Sequence, residues 1–555
     1  MKKKIIIILS VLIISLTIVK LYQTFATNSL VTVSDNVYNI TLTDNSSITV
    51  PAKSSKTIIY QICNTNKGVV QYGVGYISNN ITVKTYWDTI DNDTGIMDYG
   101  ENKFVKLKLI NNSEEDDTVT LTTVLGYENG GDLIVPSNVI LISNEVSEKN
   151  EITSEETVSD SSNTVLGTTV TRGNVGTVTF ENDNIVPTNA ISPKDISSTG
   201  DGSVMMWYTE NSDGSYELHM GSENGKVSIT NGNNLFAYMD KLESIDFSNV
   251  DLSGLTSMEN MFRGCTNLKE IKFGNNKLSN ITSLYHTFDG AKELTTIDLS
   301  GFDTSNVTNM GSMFKGSSVE YLDLRSFNTS KVTHMANMFN GCTNLKYIDL
   351  RSFDTSNVTN MMAMFNECSS LLSLDLSNFN TSNVTTMNKM FYQCISLTSL
   401  NLSNFDTSNV TDMDAMFYQC KSLTSLNLSN FNTSKVTSMK HIFTNCIKLE
   451  SLDISNFNTS NVTTMNGMFS DCQSLTSLNL SSFNTSNVTD MYAMFYNTKK
   501  LTNLDLSKAD FSNVTSYSLM FSNTPSNISI TVKDETQKTW ITSKFTGLTN
   551  VVVAS

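Results

Sequence analysis

Histidine is scarce in this chain: four in 555 residues, at His219, His286, His334 and His441. They fall in separate segments, with no cysteine or carboxylate at the spacing of a metal site or a catalytic triad. A glycine-rich phosphate loop and a serine elbow are missing too, so the sequence carries no catalytic signature. Paired carboxylates alone can perform hydrolysis, which keeps a carbohydrate-active enzyme as a distant third reading. Basic residues are also in deficit, with 37 Lys and Arg against 54 Asp and Glu and a net charge of −17. Phosphate binding needs clustered Lys and Arg, so the balance argues against a nucleic-acid partner and disfavours anionic lipid surfaces. Cysteine is confined rather than absent. Seven of the eight (Cys265, Cys342, Cys368, Cys394, Cys420, Cys446 and Cys472) stand three residues after a recurring Phe. One repeated position points every side chain the same way, whereas zinc needs converging ligands and a disulfide needs facing sulfurs. The column reads as a small buried hydrophobe, and Ser317 or Gly290-Ala291 fills the same slot elsewhere.

What the chain has in abundance is repetition. The closing Phe recurs at Phe262, Phe288, Phe314, Phe339, Phe365, Phe391, Phe417, Phe443, Phe469, Phe495 and Phe521, every step 26 residues except one of 25 at Ser317-Ser318-Val319. A fixed period of this size means a stacked array. Within one copy, Met387, Met390, Phe391 and Cys394 fall at i, i+3, i+4 and i+7, the stripe of a short helix, with Thr385 before it as N-cap. Thr359, Thr411, Thr437, Thr463 and Thr489 hold the same place. Leu397, Leu400 and Leu402 then alternate as a short strand, and Asn380-Thr381-Ser382-Asn383 supplies turn chemistry. One strand, one turn and one helical turn cannot bury a core alone, but stacking can.

The phrase Leu-x-x-Leu-x-Leu-Ser-x-Phe at Leu397 to Phe405 resembles a leucine-rich repeat, with Phe where that pattern has Asn or Cys. With its Asp/Asn-Thr-Ser-Asn-Val-Thr and Met-x-x-Met-Phe-x-x-Cys continuation, the array is similar to the BspA-like subclass of leucine-rich-repeat surface proteins. Asp195-Ile196-Ser197 and Gly200-Asp201-Gly202-Ser203-Val204 match phrases of that family's N-terminal cap. The resemblance implies a bacterial cell-surface, adhesin-like protein without enzymatic activity.

The expected fold class is an α/β solenoid of leucine-rich repeats, about 26 residues each and capped at both ends, preceded by an all-β sandwich-like domain. Residues 1–26 carry Lys2, Lys3 and Lys4, the apolar run Ile5 to Val19 and Thr24-Phe25-Ala26, a secretory signal or an N-terminal anchor. Short β-type runs separated by Asn, Asp, Gly and Ser mark 28–145, from Val31-Thr32-Val33 to Val119-Thr120-Leu121. Residues 146–166 read as a flexible acidic linker, 167–234 as the N-terminal cap, 235–524 as the repeats and 525–555 as the C-terminal cap. No sortase-type motif, basic tail or apolar span follows that cap, so contact with the membrane is expected only through the N-terminal segment if it stays uncleaved.

In the strand, Leu400 and Leu402 point inward and Asn401 outward. The outward column reads Asp298, Asp323, Asp349, Asp375, Asn401, Asn427, Asp453, Asn479 and Asp505, with Arg325 and Arg351 two residues after Asp323 and Asp349. A solenoid presents such a column on a long concave face, so these are the candidate ligand-binding residues. Neighbouring carboxylates invite calcium, but no loop has the pattern that supplies six to eight oxygens, and the two arginines and the Asn interruptions offset the charge. No cofactor and no metal are expected. The expected function is an exported adhesin-like protein binding an extracellular protein or glycan along this face; the alternative is a structural spacer or self-associating envelope protein.

Overall fold

The computed structural model describes residues 151–555 apart from 154–156, 199, 201 and 224, and before them nine strands between Asn39 and Ile142. The chain divides into two compact units, Met1–Lys149 and Asn150–Ser555. The signal or anchor expected at 1–26, and the strand expected at Val31-Thr32-Val33, lie outside the described residues.

The first unit holds two antiparallel sheets. One runs Ile81–Trp87, Asn102–Asn111, Ser54–Cys63 and Val139–Ile142. The other runs Asn39–Thr41, Asp117–Tyr127, Val70–Ile77 and Gly95–Met97, with Ile48–Val50 also paired to Asp117–Tyr127. The alternating runs seen in the sequence fall on these strands, because period-two residues suit a pleated sheet.

The second unit opens on packed chain. Residues 146–166 were expected as a flexible acidic linker; from Glu151 on, the described part is fixed in place. Ile152, Val165 and Leu166 are buried, Glu151 bridges Ser228, and Ile152 bridges Ser197. The polar residues between them close turns, with Asn163 Oδ1 accepting from the Ser159 N–H at 2.7 Å. Three apolar residues at the right places suffice to anchor a segment whose composition is otherwise that of a linker. Beyond it, Val175–Glu181, Tyr216–Ser222, Val204–Glu210 and Ile191–Asp195 form a four-stranded sheet, parallel only in its first pair. Arg172 is fully buried, and its Nη1 donates to the carbonyls of Asn234, Leu235 and Ala237 at 2.9–3.0 Å. That side chain ties the sheet to the first turn of the array.

The array is a mostly-β solenoid, and the rung Phe405–Leu428 shows how it is built. Val410, Met413, Met416, Phe417, Cys420, Leu423 and Leu428 are fully buried. Short parallel strands recur along it: Ser244–Asp246 pairs Glu270–Lys272, Tyr321–Asp323 pairs Tyr347–Asp349, Ser425–Asn427 pairs Ser451–Asp453, and Ser477–Asn479 pairs Asn503–Leu506. A second line of single bridges runs through Ser257, Ser283, Asn309, His334, Asn360, Thr386 and Asp412. The repeat Phe rings stack near-parallel with centroids 5.3–6.0 Å apart from Phe236 to Phe521. Burying one such side chain contributes roughly 1.5–3 kcal/mol.

The helix expected in each rung does not form. The N–H groups of Met416, Tyr418 and Cys420 bond three residues back, at 3.1–3.2 Å, while those of Ala415, Phe417 and Gln419 bond Lys440, Ile442 and Thr444 of the next rung at 2.8–2.9 Å. Ala415 and Gln419 have φ of 54° and 58°, which turns alternate donors out of the rung. An α-helix would keep every donor in its own segment, four residues back. The i, i+3, i+4, i+7 stripe still faces the core, since two successive turns reproduce that spacing. The architecture is therefore a mostly-β solenoid rather than α/β in its repeats. The threonines expected as N-caps bond between rungs instead: both the N–H and Oγ1 of Thr385 donate to the Thr359 carbonyl, at 2.9 and 3.1 Å. The C-terminal segment is strand Ser529–Val532, helix Glu535–Lys544 capped by Asp534, and strand Val551–Val553, continuing the parallel ladder from Asn503–Leu506.

Candidate interaction surface

The expected binding column is assembled on the strand side, and each member has a local duty. Its Oδ1 accepts the backbone N–H two residues on: Asp298 from Ser300, Asp375 from Ser377, Asn401 from Ser403, Asn427 from Ser429, Asp453 from Ser455, Asn479 from Ser481 and Asp505 from Ser507, all at 2.9–3.1 Å. Asp323 and Asp349 accept likewise from Arg325 and Arg351 at 3.2 and 3.1 Å. Each is an Asx turn closing the corner after the strand. Asp and Asn accept this bond equally well, which explains why they alternate down the column. Asp323 lies opposite Asp349, Asn427 opposite Asp453, and Asn479 opposite Asp505.

Two of the corners carry a second layer. Arg325 forks onto Asp323 with Nε at 2.9 Å and Nη2 at 2.5 Å, and Arg351 onto Asp349 at 3.0 and 2.6 Å. Bidentate charge-assisted bonds favour the carboxylate, so Asp323 and Asp349 are held down at about 2, first by the Arg side chains and then by the turn N–H. Hydrogen bonds from Ser300, Ser377 and Ser455 also hold Asp298, Asp375 and Asp453 below the usual carboxylate range.

Most other polar residues of the repeat bond across rungs. Thr407 Oγ1 donates to the Asn432 carbonyl at 3.0 Å and accepts its N–H at 2.8 Å. Asn404 Nδ2 reaches the carbonyls of Leu376 and Phe379, and Asn409 Nδ2 that of Ser382. Each of the seven repeat cysteines points its thiol at a carbonyl of the preceding rung, as Cys394 Sγ does at Phe365 O, 3.1 Å away. Burial pushes the Cys265, Cys342, Cys394 and Cys446 thiols up to about 12.

Sequence reasoning missed three groupings. On the N-terminal sheet, His219 Nδ1 meets Glu181 Oε1 at 2.7 Å and Nε2 meets Thr209 Oγ1 at 2.9 Å, with the ring stacked on Trp207. These residues come from three strands, so only their register brings them together. His286 Nδ1 meets Asp289 Oδ2 at 2.6 Å, with Arg263 3.4 Å away; the i, i+3 spacing was the available signal. The third grouping is Tyr321 and Tyr347, each more than half exposed and paired on neighbouring rungs. Its signal is a departure from the Ser and Thr that other rungs carry at the equivalent positions. An open depression of about 890 Å³ lies beside them, lined by Lys272, Asn275, Asp298 and Phe302 among others. Among the described residues, no three His, Cys, Asp or Glu side chains are grouped to hold a metal ion.

A family model described as "Mycoplasma protein of unknown function, DUF285" matches the chain at residues 230–348, 333–427 and 417–531, together more than half of its length. No curated protein matches it.

Proposed function

We propose that this chain, which belongs to the DUF285 family of Mycoplasma proteins of unknown function, is an exported, adhesin-like interaction module of the BspA-like leucine-rich-repeat kind, with a β-sandwich as its N-terminal spacer. Its role is binding rather than turnover, of an extracellular protein or glycan along the strand face. The lysine-flanked apolar run Ile5 to Val19 supports export. One observation carries the binding reading: the side chains that hold the array together are buried or bonded across rungs, and on the strand face the exposed position two residues before the turn-closing Asp or Asn departs from its usual Ser at two adjacent rungs. Tyr321 and Tyr347 stand where Ser373 and Ser399 stand elsewhere. A rigid ladder with a variable outer row suits a scaffold that presents side chains.

The test is binding of the immobilised full chain to matrix proteins, mucins and bacterial polysaccharides, with calcium and with chelator. Its control is the Asp349→Asn, Asp375→Asn double variant. Asn closes the same turn, as Asn401 and Asn427 do, so this variant removes charge without removing the corner. Saturable binding weakened by the double variant is the expected result; a folded protein silent toward the whole panel would sink the reading. The spacer reading gains from the Asx turns, because they account for every member of the column without a ligand.

A further inference from the structure

Two adjacent rungs break the pattern of the strand face. Two residues before the turn-closing Asp, where Thr296 and Ser373 flank them, they carry Tyr321 and Tyr347; two residues after it, where Ser300 and Ser377 flank them, they carry Arg325 and Arg351. Strand residues two apart share a face. The register sets Tyr321 beside Tyr347 and Asp323 beside Asp349. The result is a grid of two Tyr, two Asp and two Arg, with adjacent rows about 4.8 Å apart as strand spacing requires. The tyrosines are 56% and 51% exposed, so the fold gains little from rings that serine replaces in sister rungs. Leu372, at 58% exposure on the next rung, stands one residue out of the tyrosine row, in line with Lys346, and lies outside the grid. The 890 Å³ depression, with Asp298 on its wall, lies one rung the other way.

The charges of the grid cancel. Each Arg forks onto its own Asp, and Lys346, which sits 5.8 Å from the centre of the Tyr321 ring, pairs with Glu320 at 2.7 Å. On a chain of net charge −17, this is a balanced island, offering no field to a charged partner. It does offer flat apolar rings with polar tips, the exposed carboxylate of Asp323 and two guanidinium donors side by side, while Asp349 is buried and serves to hold Arg351. Both arginine side chains are about two-thirds exposed, at 68% and 67%, and their forks use Nε and Nη2, not Nη1.

We propose that this grid is a binding platform for a neutral polysaccharide chain, the tyrosine rings stacking on sugar faces and the Asp323 carboxylate and the two guanidiniums bonding the hydroxyls. A sugar ring combines an apolar C–H face with a rim of groups that both donate and accept, and aromatic walls with a few placed polar groups are what such ligands need. The proposal rests on the interaction reading above and names its ligand class.

The experiment is titration calorimetry of the full chain with hexasaccharides of β-1,4-glucose, β-1,4-N-acetylglucosamine and α-mannose, beside a heparin oligosaccharide and gelatin as anionic and protein probes. The key variant is Tyr321→Ser with Tyr347→Ser, which restores the residue that sister rungs carry; Tyr492→Ser, an exposed tyrosine outside the grid, is the control, and melting curves confirm folding of each. The expected result is saturable binding of a neutral hexasaccharide that weakens tenfold or more, about 1.4 kcal/mol, in the double variant and not in the control. Failure of all three neutral sugars to bind, or equal binding by the double variant, overturns the proposal. Gelatin or heparin binding, with the neutral sugars silent, overturns the glycan platform and leaves the interaction reading standing. Silence toward every probe overturns both.

Discussion

The N-terminal sheet and the array solve one problem in opposite ways. Both must satisfy buried backbone groups, and each strand of the sheet does so by long pairing: Val204–Glu210 matches Tyr216–Ser222 residue for residue over seven positions. Its side chains are then free of that task, and no sequence pattern recurs in it. The array pairs only three residues per strand in most rungs, so side chains complete the ladder: Thr407, Asn404, Thr411 and Cys420 each bond a neighbouring rung. Because the Thr407 and Thr411 side chains act as part of the backbone network, Thr holds their places from Thr304 to Thr485 and from Thr308 to Thr515. Repetition of these threonines records hydrogen-bonding duty, whereas the strand-face serines Ser373, Ser399, Ser425, Ser451 and Ser477 repeat on the exposed face.

That contrast can be broken at several points. Phe391→Ala should have the largest effect, a loss of about 3–5 kcal/mol, because both neighbouring rings stand on it at 5.9 and 5.8 Å. Hydrogen exchange should rise in the rungs of Phe365 and Phe417 as well; a rise confined to one rung would contradict nearest-neighbour coupling. Arg172→Met comes next, at about 3 kcal/mol, since three carbonyls of the first turn lose a charged donor. Its exchange should rise at the junction of sheet and array and leave the far rungs protected.

Thr407→Val should cost about 1–3 kcal/mol in chemical unfolding, because it leaves both the N–H and the carbonyl of Asn432 without their partner. A neutral outcome would show that the polar ladder is replaceable. Gln419→Gly should raise stability by up to about 1 kcal/mol: φ is 58° there, and relief of left-handed strain outweighs the entropy glycine brings. Gly264, Gly290, Gly316 and Gly341 already occupy this place in earlier rungs. The smallest effect concerns acid. Asp323 and Asp349 sit near 2 when folded against 3.8 when free, so their stabilisation is complete above pH 3.8 and lost as pH falls through about 2. The double change to Asn should flatten the melting temperature across that window, and only slightly, because the Asp323–Arg325 pair is exposed.

Much of this was legible in the sequence. The period, the core columns of Met, Phe, Cys and Leu, and the strand, helix and strand order at 528–553 follow from spacing alone. Position 415 was not legible: Ala has no reason of its own to adopt a left-handed φ, and the apolar stripe of two turns is the same as that of a helix. Glu181, Thr209 and His219 were equally hidden, being neighbours only through strand register. The described part of the segment before residue 167 deceived by composition, since Ile152 and Val165 outweigh their polar company once a sheet is there to receive them. The Asp and Asn column is visible from the period, whereas the bond each side chain makes to the N–H two residues on is not.

By itself, the sequence determined that the chain stacks, where each rung begins, and which side chains face inward, because periodicity is a one-dimensional property that burial reads directly. Only the tertiary structure decided which donors leave the rung, which carboxylates are already engaged, and that Tyr321 and Tyr347 stand side by side on one exposed face. Those facts depend on φ angles and on the register between rungs, and no single rung contains its neighbour.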